Sequence, residues 1–374
     1  LAARYPFPWL GMPSSLNVLN PGLSVWVFVV LARITGAVTP IALARGVQLL
    51  NVLALALVNV FAWTGVGESE QEPWLWGTSL AAVNPMAVVL ARRIWQQSVL
   101  PIFSVGVIVA WWYRDRRWAA FAFGLIGACI GQVHISGFFL TAGFVLWALL
   151  FDRERTRWPY LAAGIVLGTA PMVPWLAHLF GNLGTRPHDS FELVRVLLPV
   201  YWFYWFVEPW GIGVWHTLGW HFASFLSGMD YVVGILHGLA LSLGVLLLAL
   251  IAIRIRRDGR PWSALLVGDD ATAFTTQAAL IGCGLLMTAS ALEIHRPYFN
   301  AVFPLEFVWL AYMALGRGGE SSKRLARRAL AALWVVELLM SASFLRYIHA
   351  NGGAPGADYG VAYRAQPPGQ TFTR

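Results

Sequence analysis

Ten long apolar runs dominate this chain and leave few folds open to it. Most approach the roughly 20 residues that a helix needs to cross a bilayer. Lipid admits only helices or closed barrels, and these runs lack the alternating pattern of barrel strands. The sequence therefore predicts an all-α polytopic membrane protein with about ten transmembrane helices. The runs are residues 46–64, 74–91, 98–113, 118–136, 137–151, 158–180, 233–253, 274–292, 299–315 and 329–348.

The composition agrees with a membrane protein and excludes several other classes. Of the 374 residues, 58% are hydrophobic and 12% are charged, whereas a soluble domain carries about 25% charged residues. This balance excludes a disordered chain and an ordinary cytosolic enzyme. Cys129 and Cys283 each lie inside an apolar run, so the sequence supplies neither a disulfide scaffold nor a cysteine metal motif.

Arginine clusters between the apolar runs predict which way the helices face. The net charge of +8 would suggest nucleic acid in a soluble chain, but here the basic residues lie in short loops, and no nucleic-acid partner is expected. Placing these loops in the cytoplasm satisfies the positive-inside rule, with each intervening run crossing once. They are segments 114–117, 152–157, 254–257 and 323–328. The outer face then receives segments 92–97, 136–137, 181–232, 293–298 and the chain from 349.

The ends of the chain are less regular than its centre. Segment 21–38 fits either a span or an amphipathic helix lying flat in the outer interface. No Gly/Ser linker divides residues 21–348, which are expected to form one transmembrane domain with 1–20 outside. The Gly- and Pro-rich tail 349–374 is expected to be irregular and outside.

Polar residues gather at the outer ends of the apolar runs, where an extracytoplasmic site would need them. The long aromatic outer segment 181–232 contributes His188, Asp189, Glu208, His216, His221 and Asp230. Three shorter clusters are Arg92, Arg93, Gln96 and Gln97; Gln132, His134 and Ser136; and Glu293, His295, Arg296, Tyr298 and Asn300.

Each cluster also has a structural interpretation. Arg92 and Arg93 suit lipid headgroups as well as a bound phosphate. His134 suits a hydrogen-bonded packing position, and a Glu293–Arg296 ion pair would anchor a loop. The aromatic stretch 199–222 suits an interfacial belt, a surface that stacks on sugars, or a groove for an isoprenoid tail. The Asp269–Asp270 pair falls in a cytoplasmic loop and is interpreted as solvated.

Four short motifs carry a family resemblance over most of residues 10–315. They are Asn20-Pro21-Gly22-Leu23; Asn84-Pro85 followed by Arg92, Arg93 and Gln97; Gln132-Val-His134-Ile-Ser136; and the segment from His295 to Pro304. Together they resemble elements of the GT-C membrane glycosyltransferases, of the protein O-mannosyltransferase and aminoarabinose-transferase type. The resemblance implies a GT-C-like fold with a helix at 21–38 in the interface or re-entrant.

The resemblance implies an activity and a set of site residues. Such enzymes take a sugar from a polyprenyl-phosphate carrier and pass it to an acceptor on the outer face, here of a bacterial inner membrane. The residues implied to bind phosphate are Arg92, Arg93 and Arg296. Those implied to contact donor or acceptor are Gln97, Gln132, His134, His295 and Tyr298. Gln97 stands where many relatives carry an acid, which speaks against a divalent metal there.

The chain departs from the family at the catalytic acid. Relatives carry it in the first outer loop, but this sequence has no Asp or Glu before Glu68. We expect that the first helix and its acid precede Leu1, and Glu208 is the candidate acid within the chain. Two alternatives stay open: a non-catalytic accessory membrane subunit, and a secondary transporter or flippase using the deep charges Glu306 and Glu337. The sequence gives no oligomeric state.

Overall fold

The computed structural model describes residues 7–13, 19–181, 193–228, 231–257, 270–316, 319–357 and 359–366. His188, Asp189, Asp230 and Asp269 lie outside these ranges. The α-helices, in chain order, are α1 (Leu23–Thr35), α2 (Pro40–Gly65), α3 (Glu68–Val83), α4 (Pro85–Leu90), α5 (Leu100–Trp112), α6 (Arg117–Val133), α7 (Ile135–Phe151), α8 (Trp158–Thr169), α9 (Val173–Gly181), α10 (Val200–Val207), α11 (Val214–Leu218), α12 (His221–Leu226), α13 (Val232–Arg257), α14 (Ala271–Gln277), α15 (Cys283–Ala289), α16 (Leu305–Leu315) and α17 (Glu320–Asn351).

The apolar helices make this an all-α membrane protein. Within the described ranges, five helical stretches are long and apolar enough to cross a bilayer: Pro40–Gly65, Trp158–Gly181, Val232–Ile253, Ala271–Ala289 and Glu320–Asn351. Helices α1, α6, α7 and α16 and the stretch Gln96–Trp112 are apolar but shorter. Each predicted run contains helix, while the expected count of about ten spans stays a prediction.

The chain divides into two compact units. Unit 1 combines residues 1–57, 93–203 and 269–303, and unit 2 combines 58–92, 204–268 and 304–374. Each unit is built from three separate stretches of chain, and the single transmembrane domain expected for 21–348 stays a prediction.

Glycines allow the helices of unit 1 to pack closely. A Cβ at Gly164 of α8 would lie 2.1 Å from the Phe121 carbonyl oxygen of α6, so only glycine fits. A Cβ at Gly143 of α7 would lie 2.5 Å from the Cys283 nitrogen, beside a π-helical turn over Ala278–Gly282. Trp111, Phe123 and Phe144 fill the core between α5, α6 and α7.

Unit 2 is built on helices α3, α13, α16 and α17. A Cβ at Gly77 of α3 would lie 2.6 Å from the Val308 backbone of α16. Arg327 of α17 donates from Nε and Nη2 to both carboxylate oxygens of Glu72, at 2.6 and 2.8 Å. This ion pair lowers the pKa of Glu72, and it fixes α17 against α3 at one end.

Two predicted continuous runs are interrupted. Run 74–91 breaks at Asn84, because Pro85 lacks the N–H that a continuous helix would use; Asn84 then caps α4, accepting from the Met86 and Ala87 N–H groups. Run 158–180 tightens into a 3₁₀ turn at Ala170–Met172, which contains Pro171. Each helix is interrupted at a proline within its run, and the hydropathy of the run alone did not reveal the interruption.

The ends of the chain carry two short hairpins. Strands β1 (Leu10–Pro13) and β2 (Leu19–Pro21) pair antiparallel before α1. Helix α1 has 13 residues, about 20 Å, which is short for a span and suits the interfacial position expected for 21–38. The tail was expected to be irregular, but β3 (Gly353–Ala354) pairs with β4 (Gly360–Val361). Gly353, Gly356 and Gly360 adopt positive φ there, which permits the tight turn.

Candidate functional site

Three helix junctions of unit 1 meet in one polar cluster. The junctions are the 3₁₀ turn Gln96–Val99 before α5, His134 between α6 and α7, and the 3₁₀ turn Arg296–Ala301 before α16. We define the amide–histidine cluster as Gln96, Gln97, His134, Tyr298 and Asn300, all buried. These residues come from three of the polar groups that the sequence placed on the outer side.

Hydrogen bonds and ring contacts hold the amide–histidine cluster together. Asn300 Nδ2 donates to the Gln97 carbonyl oxygen at 2.5 Å. Gln97 Nε2 lies 3.0 Å from His134 Nε2. The edge of the Tyr298 ring packs on His134, with the ring centroids 4.5 Å apart. Ser104 of α5 adds a bond to the Ala301 carbonyl at 2.7 Å, so the two 3₁₀ turns are fixed to each other.

His134 is a buried residue held from both ring nitrogens. It is 5% exposed. With the Gln97 amide as placed, Nε2 accepts from Gln97 and the Nδ1 proton goes to Ser136 Oγ at 2.7 Å. Turning the amide over would let Nδ1 accept the Ser136 N–H at 3.3 Å instead. Either arrangement fixes the ring as a hydrogen-bonding residue.

The turn Gln96–Val99 holds buried polar atoms that lack partners among the described residues. These atoms are Gln96 Nε2, Gln97 Oε1 and Ser98 Oγ. Buried amide and hydroxyl groups are normally hydrogen-bonded, and leaving one unpaired costs roughly 1–3 kcal/mol. The turn therefore presents one donor, one acceptor and one hydroxyl in a region that has no formal charge of its own.

Two asparagines that sequence reasoning missed hold this turn in place. Asn20 donates from Nδ2 to Gln96 Oε1 at 3.3 Å, and Asn51 donates from Nδ2 to the Ser98 carbonyl at 2.8 Å. Asn20 was noticed only as part of a motif. Asn51 lies in run 46–64 with two other amide side chains, Gln48 and Asn59, and polar side chains inside a long apolar run are the signal that would have marked it.

Charged residues border the cluster on the Arg296–Ala301 side. Arg296 is 3% exposed, whereas Glu293 and His295 are partly exposed, with His295 Nε2 3.9 Å from a Glu293 carboxylate oxygen. The structural interpretation paired Glu293 with Arg296; in the described residues, Arg195 Nη2 also lies near Glu293, 3.5 Å from a carboxylate oxygen. The His295 ring contacts Tyr298 at 5.6 Å between centroids.

Three predicted site residues have other surroundings. Gln132 donates to the Gly168 carbonyl of α8 at 2.6 Å, which ties α6 to α8. The Arg93 guanidinium lies over the Trp95 ring, 4.4 Å from its centroid. Arg92 is exposed and belongs to unit 2. The phosphate and ligand roles predicted for these three residues stay predictions.

Glu208, the candidate acid, belongs to a buried group of unit 2. Asn84 Nδ2 donates to Glu337 Oε1 at 3.1 Å and to the Glu208 carbonyl at 2.8 Å. Glu306 and Glu337 are buried, and each keeps one carboxylate oxygen without a hydrogen-bond partner in the described chain. The sequence predicted that Glu306 and Glu337 lie deep in the membrane; both side chains are buried in the protein, and their depth in the membrane stays a prediction.

The aromatic stretch 199–222 forms short helices with two kinds of side chain. Tyr201, Tyr204 and Trp210 are buried, and a Cβ at Gly284 would lie 2.4 Å from the Tyr201 ring. Other aromatic residues in the stretch are largely exposed, namely Phe203, Phe206, Trp215 and Trp220. The exposed aromatic side chains suit an interfacial belt. The buried aromatic side chains pack in the protein interior.

The amide–histidine cluster has amide and hydroxyl atoms of the kind that hydrogen-bond a neutral, hydroxyl-rich group, and Arg296 belongs to the same turn as Tyr298. Among the residues that the structure describes, no three His, Cys, Asp or Glu side chains are grouped so as to hold a metal ion. No protein-family model, curated protein or solved structure matches this chain.

Proposed function

We propose that this protein is a membrane glycosyltransferase that binds a polyprenyl-phosphate-linked sugar and passes the sugar to an acceptor on the extracytoplasmic face. The observation that carries the proposal is the meeting of Gln97, His134 and Tyr298 in unit 1, with unpaired buried amide and hydroxyl atoms beside them. Sugar hydroxyls both donate and accept hydrogen bonds, as these atoms require.

Cations at the border of the cluster support binding of the carrier phosphate. Arg296 and His295 belong to the same turn as Tyr298, and Arg195 lies near Glu293. A guanidinium stabilises the negative charge that develops on a departing phosphate. The resemblance to GT-C enzymes assigns the same role to Arg296. Arg92 and Arg93 remain second candidates.

The helices of unit 1 support an outward-facing site. Helix α5 runs from the Gln96–Val99 turn to Arg114, and α6 runs back from Arg117 to His134. The amide–histidine cluster and the basic loops therefore lie at opposite ends of the same helices. With the basic loops in the cytoplasm, the cluster faces outward, as we propose for a bacterial inner membrane.

Binding measurements on purified protein test the proposal without knowledge of the acceptor. We expect a polyprenyl-phosphate hexose to bind more tightly than polyprenyl phosphate alone. Gln97→Leu should weaken only the sugar-bearing ligand, about two- to tenfold for one neutral hydrogen bond. Arg296→Lys should weaken both ligands, because lysine keeps the charge but loses the bidentate geometry.

Matched controls decide the outcome of this experiment. Gln71→Leu makes the same substitution in unit 2, at a half-exposed residue that bonds only to main-chain carbonyls in the described chain, and should leave both affinities unchanged. Equal binding of the two ligands by the wild type, or equal effects of Gln97→Leu and Gln71→Leu, would overturn the proposal.

A secondary transporter is the second candidate, because Glu306 and Glu337 are buried with unpartnered carboxylate oxygens. Buried carboxylates in transporters carry protons or cations. Sealed proteoliposomes loaded with a polyprenyl-phosphate hexose distinguish the two functions. The transporter function would be favoured if the lipid moved to the outer leaflet only in the presence of a proton gradient and if Glu337→Gln abolished this movement.

A further inference from the structure

An open apolar groove lies in unit 1 between the N-terminal hairpin, α1, α2 and α5. Its volume is about 760 Å³, and its lining includes Phe7, Trp9, Trp26, Val30, Ile102 and Phe103. A cavity of this size holds a ligand of a few tens of heavy atoms. Its walls are almost wholly apolar, so the ligand must be hydrocarbon rather than sugar or peptide.

Helix α1 supplies one whole wall of the groove. Leu23, Trp26, Val30 and Ile34 recur at helical spacing and face the groove. The opposite stripe, formed by Ser24, Phe28 and Ala32, is buried in the protein. The hairpin is held above α1 because Trp26 donates from Nε1 to the Pro8 carbonyl at 2.5 Å.

One arginine lies against a residue that lines the groove. The Arg33 guanidinium lies 4.7 Å from the centroid of the Phe7 ring, and Arg33 is exposed. Residues 1–67 contain no Asp or Glu. A ligand with an apolar chain and an anionic headgroup matches this combination of apolar wall and neighbouring guanidinium.

We propose that the groove binds an acyl chain of an anionic bilayer phospholipid, with the lipid phosphate at Arg33. The groove's volume suits a hydrocarbon of acyl-chain length better than the much longer chain of a polyprenyl carrier. Trp9 and Trp26, which line the groove, suit the headgroup depth of a membrane. This site is separate from the sugar-binding proposal and does not depend on it.

Native mass spectrometry of the purified full chain, titrated with phosphatidylglycerol or phosphatidylcholine of equal chain length, tests the proposal. We expect phosphatidylglycerol to bind more tightly. Arg33→Gln should weaken phosphatidylglycerol about fivefold, the equivalent of one arginine near an anionic headgroup, and should leave phosphatidylcholine unchanged. Val30→Trp should weaken both lipids by filling the groove, and it should fold because Val30 is partly exposed.

Two matched variants keep the test specific. Arg45→Gln removes an exposed arginine of α2 that does not line the groove, and Val60→Trp enlarges an exposed valine elsewhere on α2; both should bind as the wild type does. Equal affinity for the two lipids, or equal losses in Arg45→Gln and Arg33→Gln, would overturn the proposal. The proposal would also be overturned if polyprenyl phosphate displaced phosphatidylglycerol from the wild type and bound more weakly to Val30→Trp. The groove would then bind the polyprenyl chain.

Discussion

His134 is held by hydrogen bonds at both ring nitrogens. Gln97 Nε2 lies 3.0 Å from His134 Nε2, and Ser136 Oγ lies 2.7 Å from His134 Nδ1. Removing the ring would leave the Gln97 amide and the Ser136 hydroxyl without these partners, and an unpaired buried polar group costs roughly 1–3 kcal/mol.

We therefore expect His134→Ala to lower the free energy of unfolding by about 2–4 kcal/mol. Thermal unfolding of detergent-solubilised protein measures the loss. His134→Gln keeps an amide that can hydrogen-bond at this position, so its loss should be smaller. Wild-type stability in His134→Ala would contradict the hydrogen-bonded, buried assignment.

At the level of helices, the sequence predicted where helix lies but not where it breaks. Hydropathy averages over many residues, so run 74–91 resembled one span although Asn84 and Pro85 divide it into α3 and α4. Asn84 also donates to Glu337 and to the Glu208 carbonyl. These contacts join residues more than 100 positions apart, and no local pattern reveals them.

Replacing Asn84 tests this break. Asn84→Ala removes the cap of α4 and the donor to Glu337, and we expect a loss of about 2–4 kcal/mol in unfolding free energy. In a Glu337→Gln background the same change should cost less, because no carboxylate is left unpaired. A double-mutant cycle on thermal or denaturant unfolding measures this coupling, and purely additive effects would contradict the contact.

Close packing of α6 and α8 gives a second prediction for the helices. Gly164→Ala would place a Cβ 2.1 Å from the Phe121 carbonyl oxygen, and overpacking of this kind costs about 1–3 kcal/mol. Gly238→Ala, in α13, meets nothing within 4 Å and should stabilise the protein slightly through helix propensity. Unfolding midpoints compare the pair; equal shifts would argue against the close helix approach.

For the whole molecule, the sequence predicted one outer polar site and the structure divides its candidates. His134, Gln97, Tyr298 and Asn300 meet in unit 1, whereas Glu208 belongs to unit 2. The positive-inside rule assigns a side of the membrane to each polar residue, but it does not determine which helices are neighbours. Membership of the amide–histidine cluster therefore required the tertiary structure.

Cysteine labelling of intact cells tests the predicted orientation. Trp220 and Glu154 are both exposed, and the basic loop 152–157 is assigned to the cytoplasm. A membrane-impermeant maleimide should label Trp220→Cys in intact cells but label Glu154→Cys only after lysis. The native Cys129 and Cys283 lie within α6 and α15, so the parent protein serves as the background. The reverse labelling pattern would invert the topology and place the cluster inside.

The central claim is that the amide–histidine cluster holds a lipid-linked sugar, and photo-crosslinking tests it most directly. A polyprenyl-phosphate hexose with a diazirine on the sugar ring would be irradiated with the purified protein and the modified peptides identified by mass spectrometry. The account predicts crosslinks on the peptides that carry Gln97 and Tyr298, with competition by unlabelled ligand. Crosslinks found only on the peptides that carry Glu306 and Glu337 would contradict this claim. The claim would also be contradicted if the unlabelled ligand failed to reduce the crosslinking.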